Sequence, residues 1–208
     1  MGGKHKEMTK DNHSSRHVST LDLCYIAIFT AVIAVLAQIS IPMPAGVPMT
    51  LQTFAVPLAG MVLGKRKGTW SVLLYLLLAA AGVPVLAGLK GGIGVLFGVT
   101  GGFLFSFPLM AYLAGWGEQI AEDGSLSPVI RHTARWSGLV LGAVLNYAAG
   151  TIWFMFAAQA PLAAALSGCV LPFLPTAVAK IVLVALTGPV LRRALLRAGL
   201  LTTQAGTN

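Results

Sequence analysis

Near the C-terminus the chain reads Pro175-Thr176-Ala177-Val178-Ala179-Lys180-Ile181-Val182-Leu183-Val184-Ala185-Leu186-Thr187-Gly188-Pro189-Val190-Leu191, an apolar run carrying one cation. No Asp or Glu lies in this run to neutralise Lys180. Such a run predicts a helix that crosses a hydrocarbon core, which takes about 20 residues. Ionisable groups inside such spans generally face a protein cavity rather than lipid. An ammonium without a protein carboxylate therefore predicts an anionic ligand, because an uncompensated buried charge is costly. The competing reading is a lysine that snorkels to the outer headgroups.

The rest of the 208-residue chain supports the membrane reading. It is 56% hydrophobic and 10% charged, with a mean hydropathy of +0.81, far more apolar than a soluble domain of this length. Apolar segments at about residues 21–40, 49–64, 69–83, 96–116, 136–158 and 176–195 predict six transmembrane helices. Pro42, Pro44 and Pro48 end the first, Lys65, Arg66 and Lys67 the second, and Pro84 the third. A Gly-rich segment, residues 88–102, cannot expose its backbone to lipid, so it is expected as a loop, a re-entrant piece or a tightly packed helix. The fold class expected is all-α: a polytopic integral membrane protein with both termini cytoplasmic. Residues 1–20 lack an apolar core and read as a disordered cytoplasmic tail rather than a signal peptide. Residues 21–198 form the membrane domain and 199–208 a second cytoplasmic tail.

Charge fixes the orientation. Six spans place Lys4, Lys6, Lys10, Arg16, Lys65, Arg66, Lys67, Arg131, Arg135, Arg192, Arg193 and Arg197 on one side, twelve of the fourteen Lys and Arg. The positive-inside rule makes that side cytoplasmic, leaving Lys90 in an outer loop and Lys180 in a span. The net charge of +8 is thus a topology signal, and basic residues scattered over separate loops do not make a nucleic-acid footprint. All six acids, Glu7, Asp11, Asp22, Glu118, Glu122 and Asp123, lie on or near the inner side.

Lys180 follows Pro175 by five residues, roughly one to two helical turns below the outer surface. Thr176 and Thr187 fall at helical offsets that share its face. In the fifth span Asn146, Gly150 and Trp153 occupy one face, with Tyr147 and Thr151 on the next; Thr50, Gln52 and Thr53 open the second span near the outer side. Each alone reads as helix–helix glue. Together with Lys90 and Lys180 they describe an outward-facing, mostly apolar pocket with a few polar groups, the profile of a small-molecule site. In the first span Ala27 and Ala31, continued by Ala34, form a stripe of small residues that allows close approach of another helix, inside the bundle or outside it. Gly60 with Gly64, and Gly138 with Gly142, read as internal packing.

The run Pro48-Met49-Thr50-Leu51-Gln52-Thr53-Phe54 with Leu58-Ala59-Gly60 and Leu63-Gly64 resembles the BioY family, the biotin-specific substrate-binding (S) components of energy-coupling factor (ECF) transporters. So do Gly82-Val83-Pro84-Val85-Leu86-Ala87-Gly88, Gly98-Val99-Thr100-Gly101-Gly102-Phe103, Gly150-Thr151-Ile152-Trp153-Phe154 and Leu171-Pro172-Phe173-Leu174-Pro175. The resemblance implies a six-helix protein of the prokaryotic cell membrane that takes biotin from outside. It implies Lys180 as the ligand-binding lysine, and docking through Ala27 and Ala31 onto an energising module of one transmembrane subunit and two ATPase subunits. Two positions depart from the family pattern. Ala177 stands where the family usually has Asp, which leaves a biotin precursor or a related carboxylate-bearing vitamin as an alternative ligand. Val99 and Phe103 replace a Pro and a Tyr.

The chain carries no phosphate loop of the Gly-xxxx-Gly-Lys-Ser/Thr type, so ATP falls to other subunits. An enzyme would need a nucleophile with its base, or carboxylates holding a metal, and the interior of the spans has no Asp, Glu or His. His5, His13, His17 and His132 are cytoplasmic in this topology, and Cys24 and Cys169 read as isolated packing residues. No cofactor or metal is expected; the partners expected are biotin, the energising module and the lipid bilayer. A solitary channel or uniporter keeps the same fold and pocket without the ATPase partner.

Overall fold

The computed structural model describes residues 19–201; of the tails expected at 1–20 and 199–208, residues 1–18 and 202–208 lie outside the described residues, while Thr20 begins the first helix and Leu201 packs into the core. The chain is mostly helical. Six helices of twelve residues or more carry it: α1 (Thr20–Ala37), α2 (Gln52–Leu63), α3 (Lys65–Ala80), α5 (Gly101–Ala121), α6 (Pro128–Ala157) and α8 (Leu174–Arg197). Between them lie a two-stranded ribbon, β1 (Ser40–Ile41) with β2 (Met49–Thr50), a single turn α4 (Ile93–Leu96), and α7 (Leu162–Cys169) followed by a 3-10 turn (Leu171–Phe173). Among the described residues three stretches are long and apolar enough to cross a membrane: Thr20–Ala37, Pro128–Ala157 and Leu162–Arg197, with mean hydropathies of 2.2, 1.7 and 2.2. The second expected span is shorter than read from sequence, because Met49 and Thr50 pair with β1 instead of joining α2.

The expected loop of Lys65, Arg66 and Lys67 is the first turn of α3. Gly64, at φ 84°, makes the buried corner between α2 and α3, and only Gly supports such a φ cheaply. Gly60 does pack internally: a Cβ there would sit 2.0 Å from the carbonyl of Ala111 on α5. Gly138 and Gly142 likewise meet α5, at Leu113 and Met110. The charged stretch 118–135 is mostly helical, with Ser127 capping α6 through the N–H of Ile130. The Gly-rich segment is a loop that contains the turn α4.

One end of the bundle is a charged layer. Asp22 at the start of α1 pairs with Lys67 at the start of α3. Glu118 near the end of α5 takes Arg135 of α6 at 2.6 and 3.1 Å. Arg192 near the end of α8 is 2% exposed; it clasps Glu122 at 2.5 and 2.9 Å and donates to the carbonyls of Val62 at 2.8 Å and Met61 at 3.4 Å. Those carbonyls end α2 and lack intrahelical partners, so the guanidinium, with five donors, closes a helix terminus and an ion pair together. The six long helices therefore alternate in direction, each starting or ending in this layer. The apolar core lies beyond it, with Ile33, Val56, Met61, Tyr75, Ala111 and Val184 all buried. Val144, Ile152, Phe156, Val178, Leu186 and Val190 stay exposed, an apolar belt that water would not tolerate on a monomer. We predict that Arg192→Met, which strands Glu122 and the α2 carbonyls, destabilises the detergent-solubilised protein by roughly 3–5 kcal/mol. A melting midpoint equal to that of the parent would contradict this account of the layer.

Candidate functional site

At the end of the bundle opposite the charged layer a cavity of about 280 Å³ opens among α2, α5, α6, α8 and the loops, close to the roughly 300–1,000 Å³ of small-molecule sites. Its deep wall begins at the start of α2. Thr50 ends β2, its hydroxyl accepts the N–H of Gln52 at 3.2 Å and donates to Oε1 of Gln52 at 2.9 Å. This local turn leaves the backbone carbonyl of Thr50 free, and Nζ of Lys180 donates to it at 2.6 Å and to the hydroxyl of Thr53 at 3.0 Å. Lys180 is buried, with 9% exposure, and lines the cavity; it does not snorkel to the surface.

The hydrogen bonds of Lys180 are thus partly met, but its charge is not. An ammonium has three donors, of which two are used by neutral oxygens. The acids among the described residues are engaged elsewhere: Asp22, Glu118 and Glu122 in the ion pairs of the charged layer, and Asp123 with Ser125. Lys90, on the loop after α3, also lines the cavity. The N-terminal ends of α2 and α5 contribute Gln52, Thr53, Thr100 and Phe103 to its wall, and helix N-termini favour negative charge. Two lysines and two helix N-termini at this wall all favour a negatively charged occupant.

Of the residues singled out from sequence, Lys180, Gln52, Asn146, Tyr147 and Lys90 line the cavity. Asn146 is 1% exposed and uses Nδ2 to hold α5, donating to the carbonyl of Phe103 at 2.9 Å and the hydroxyl of Ser106 at 2.7 Å; its Oδ1 has no partner. Tyr147 meets the Phe103 ring edge-on at 6.2 Å. Thr151, Trp153 and Thr176 are not on the cavity wall. Thr151 is buried one turn further along α6. Trp153 donates from Nε1 to the carbonyl of Gly98 at 2.9 Å and packs on Phe97 and Phe105, so it fixes the loop that forms part of the wall. Thr176 donates to the carbonyl of Phe173 at the start of α8. Thr187 is exposed and donates to the carbonyl of Leu183 in its own helix. Ala177 is buried beside Lys180 in a recess shared with Thr53 and Asn146.

Sequence reading missed the aromatic walls, Phe103, Phe107 and Phe173, and the buried Tyr75 behind Gln52, whose Nε2 donates to the phenol at 2.5 Å. Gly150 was a usable signal: a Cβ there would fall 2.2 Å from the Phe103 ring, so this glycine marks where an aromatic must fit. On α1, Ala27 and Ala31 are exposed whereas Ala34 is half-buried against the core. Cys24 and Cys169 are free thiols. Among the described residues no cluster of three or more His, Cys, Asp or Glu could hold a metal.

Comparison with known proteins gives one consistent answer. A sequence model described as the BioY family matches residues 8–197. The chain is 39% identical over 173 residues to the biotin transporter BioY2 of Lactococcus lactis subsp. cremoris, covering 83% of this chain and 91% of that protein. It is 35% identical to the biotin transporter BioY of Rhizobium etli, covering 82% and 92%. The crystal structure of the S-component for biotin from an ECF-type ABC transporter superposes with a TM-score of 0.73 at 30% identity, covering 83% of this chain and 90% of the other. With the family match spanning nearly the whole chain, and full-length relatives above 30% identity, this protein belongs to the BioY family.

Proposed function

We propose that this chain is the substrate-binding component of a biotin uptake transporter, a transport protein and not an enzyme, that captures biotin at the outer face of a prokaryotic cell membrane. The observation that carries the reading is a ligand-sized, largely apolar cavity in a BioY-family chain, with a buried ammonium that has no carboxylate partner. Biotin is an apolar bicycle with a carboxylate tail and a ureido group, and so matches aromatic walls, one or two cations and a few hydrogen-bonding groups. Lys180 meets the carboxylate in this proposal. Gln52, Asn146, Tyr147 and Lys90 supply the neighbouring contacts, while Thr151, Trp153 and Thr176 act through the walls they support.

In the same proposal the six long helices are six spans and both termini are cytoplasmic. The charged layer is the inner end, which agrees with its concentration of Lys and Arg. Delivery to the inside is driven by an energy-coupling module of one transmembrane subunit and two ATPase subunits. Ala27 and Ala31 dock that module, a role supported by their exposure on α1, since small residues allow close helix approach in lipid. Ala34 borders the stripe from the half-buried side.

Purified protein is expected to bind one biotin per chain by calorimetry, and Lys180→Ala to weaken binding by roughly 2–5 kcal/mol, the range for deleting one partner of a buried charge pair. Parent-like affinity in that variant would remove Lys180 from the site. Mass spectrometry of the ligand carried through purification separates biotin from the alternative that Ala177 raises, a biotin precursor or a related carboxylate-bearing vitamin. Ala31→Trp is expected to leave biotin affinity intact and to abolish copurification with the module. Intact copurification would sink the docking assignment, and growth-supporting uptake without any module would favour the solitary uniporter.

A further inference from the structure

The last turn of α1 ends in Gln38, whose amide reaches out of its own helix. Nε2 donates to the carbonyls of Val85 and Leu86, each at 3.2 Å, and to Ala34 at 2.9 Å, while Oε1 accepts the N–H of Leu89 at 3.0 Å. Two amide hydrogens thus serve three carbonyls. The loop they hold is a small unit of its own: Leu86 and Lys90 exchange N–H to carbonyl bonds at 2.9 and 3.3 Å, and Leu89 between them sits at φ 54°. Leu86, Ala87 and Lys90 of this unit line the cavity. Its other side-chain tether is Tyr75, fully buried, which donates to the carbonyl of Val85 at 3.2 Å.

These bonds join into one chain that starts in the site. Lys180 donates to the Thr50 carbonyl, the Thr50 hydroxyl to Gln52, Gln52 to the Tyr75 phenol, and Tyr75 to the Val85 carbonyl that Gln38 also holds. The group that meets the ligand anion and the outer cover of the cavity are therefore tied through buried polar contacts, which strengthen one another where water is excluded. We propose that Gln38 is the positioning residue that holds the 85–90 loop over the cavity and so sets how long biotin stays bound; this rests on the reading of the cavity as a biotin site.

The test uses full-length protein in detergent with three variants, Gln38→Ala, Gln38→Glu and Tyr75→Phe. Dissociation of labelled biotin and amide exchange across residues 85–90 are followed. In Gln38→Ala and Tyr75→Phe, biotin is expected to leave about tenfold faster, the effect of losing one to two ordinary hydrogen bonds, with faster exchange at Leu89 and Lys90. Gln38→Glu keeps the acceptor for Leu89 but loses both donations to the loop, so its dissociation also quickens while the Leu89 amide stays protected. A purely structural role would instead reduce the fraction of protein that binds and leave the dissociation rate of the remainder unchanged. That result, or faster exchange without faster dissociation, overturns the role of Gln38. Failure of the parent to bind biotin would overturn the transport reading itself, and the exchange data would still report whether Gln38 tethers the loop.

Discussion

The structure depends on how one positive charge is housed in an apolar bundle. Lys180 is placed on the buried face of α8 between Ala177 and Val184, and the chain answers it with a backbone carbonyl and a hydroxyl from the first residues around α2. That answer requires a turn and not a helix at Thr50, since a carbonyl inside a helix would already be spent. The β1–β2 ribbon provides the turn, which is why α2 is short. A carboxylate in place of these neutral oxygens would have closed the ion pair and left little for an incoming anion. Neutral partners hold the ammonium in position and keep its charge available.

The opposite end follows the contrary rule. There each cation that is buried has its acid: Arg192 with Glu122, and Arg135 with Glu118. Pairing makes these charges tolerable in a poor solvent, and the extra donors of Arg192 close the frayed end of α2. The bundle thus has one end where charge is satisfied internally and one where it is not. Between them, glycines at 60, 138 and 150 bring α2, α5 and α6 close enough for Phe103 and Tyr147 to form a wall.

Much of this was legible before any coordinates. Helix existence followed from hydropathy, because apolar length alone decides whether a segment can cross a hydrocarbon core. Lys180 stood out because a lone cation in such a segment is rare. Gln52, Asn146, Tyr147 and Lys90 could be chosen because polar groups are few. Thr151, Trp153 and Thr176 were chosen on the same ground, yet the cavity does not include them. Helical offset gives the face of a residue but not its depth or the direction its side chain takes. Trp153 turned toward the Gly98 carbonyl, and Thr176 toward the carbonyl of Phe173, because each found an acceptor nearer than the cavity.

What the sequence determined by itself was the solvent: a chain that is 56% hydrophobic and only 10% charged reads as a membrane bundle, and its motifs resemble one family. Composition and spacing carry that information because they are local. Tertiary structure alone decided that Gln38 and Tyr75 reach the loop over the cavity, that Arg192 closes α2, and that Lys180 rests on Thr50. Each of these joins residues separated by ten to more than a hundred positions. A hydrogen bond is specified by direction and distance in space, and no pattern along the chain encodes either.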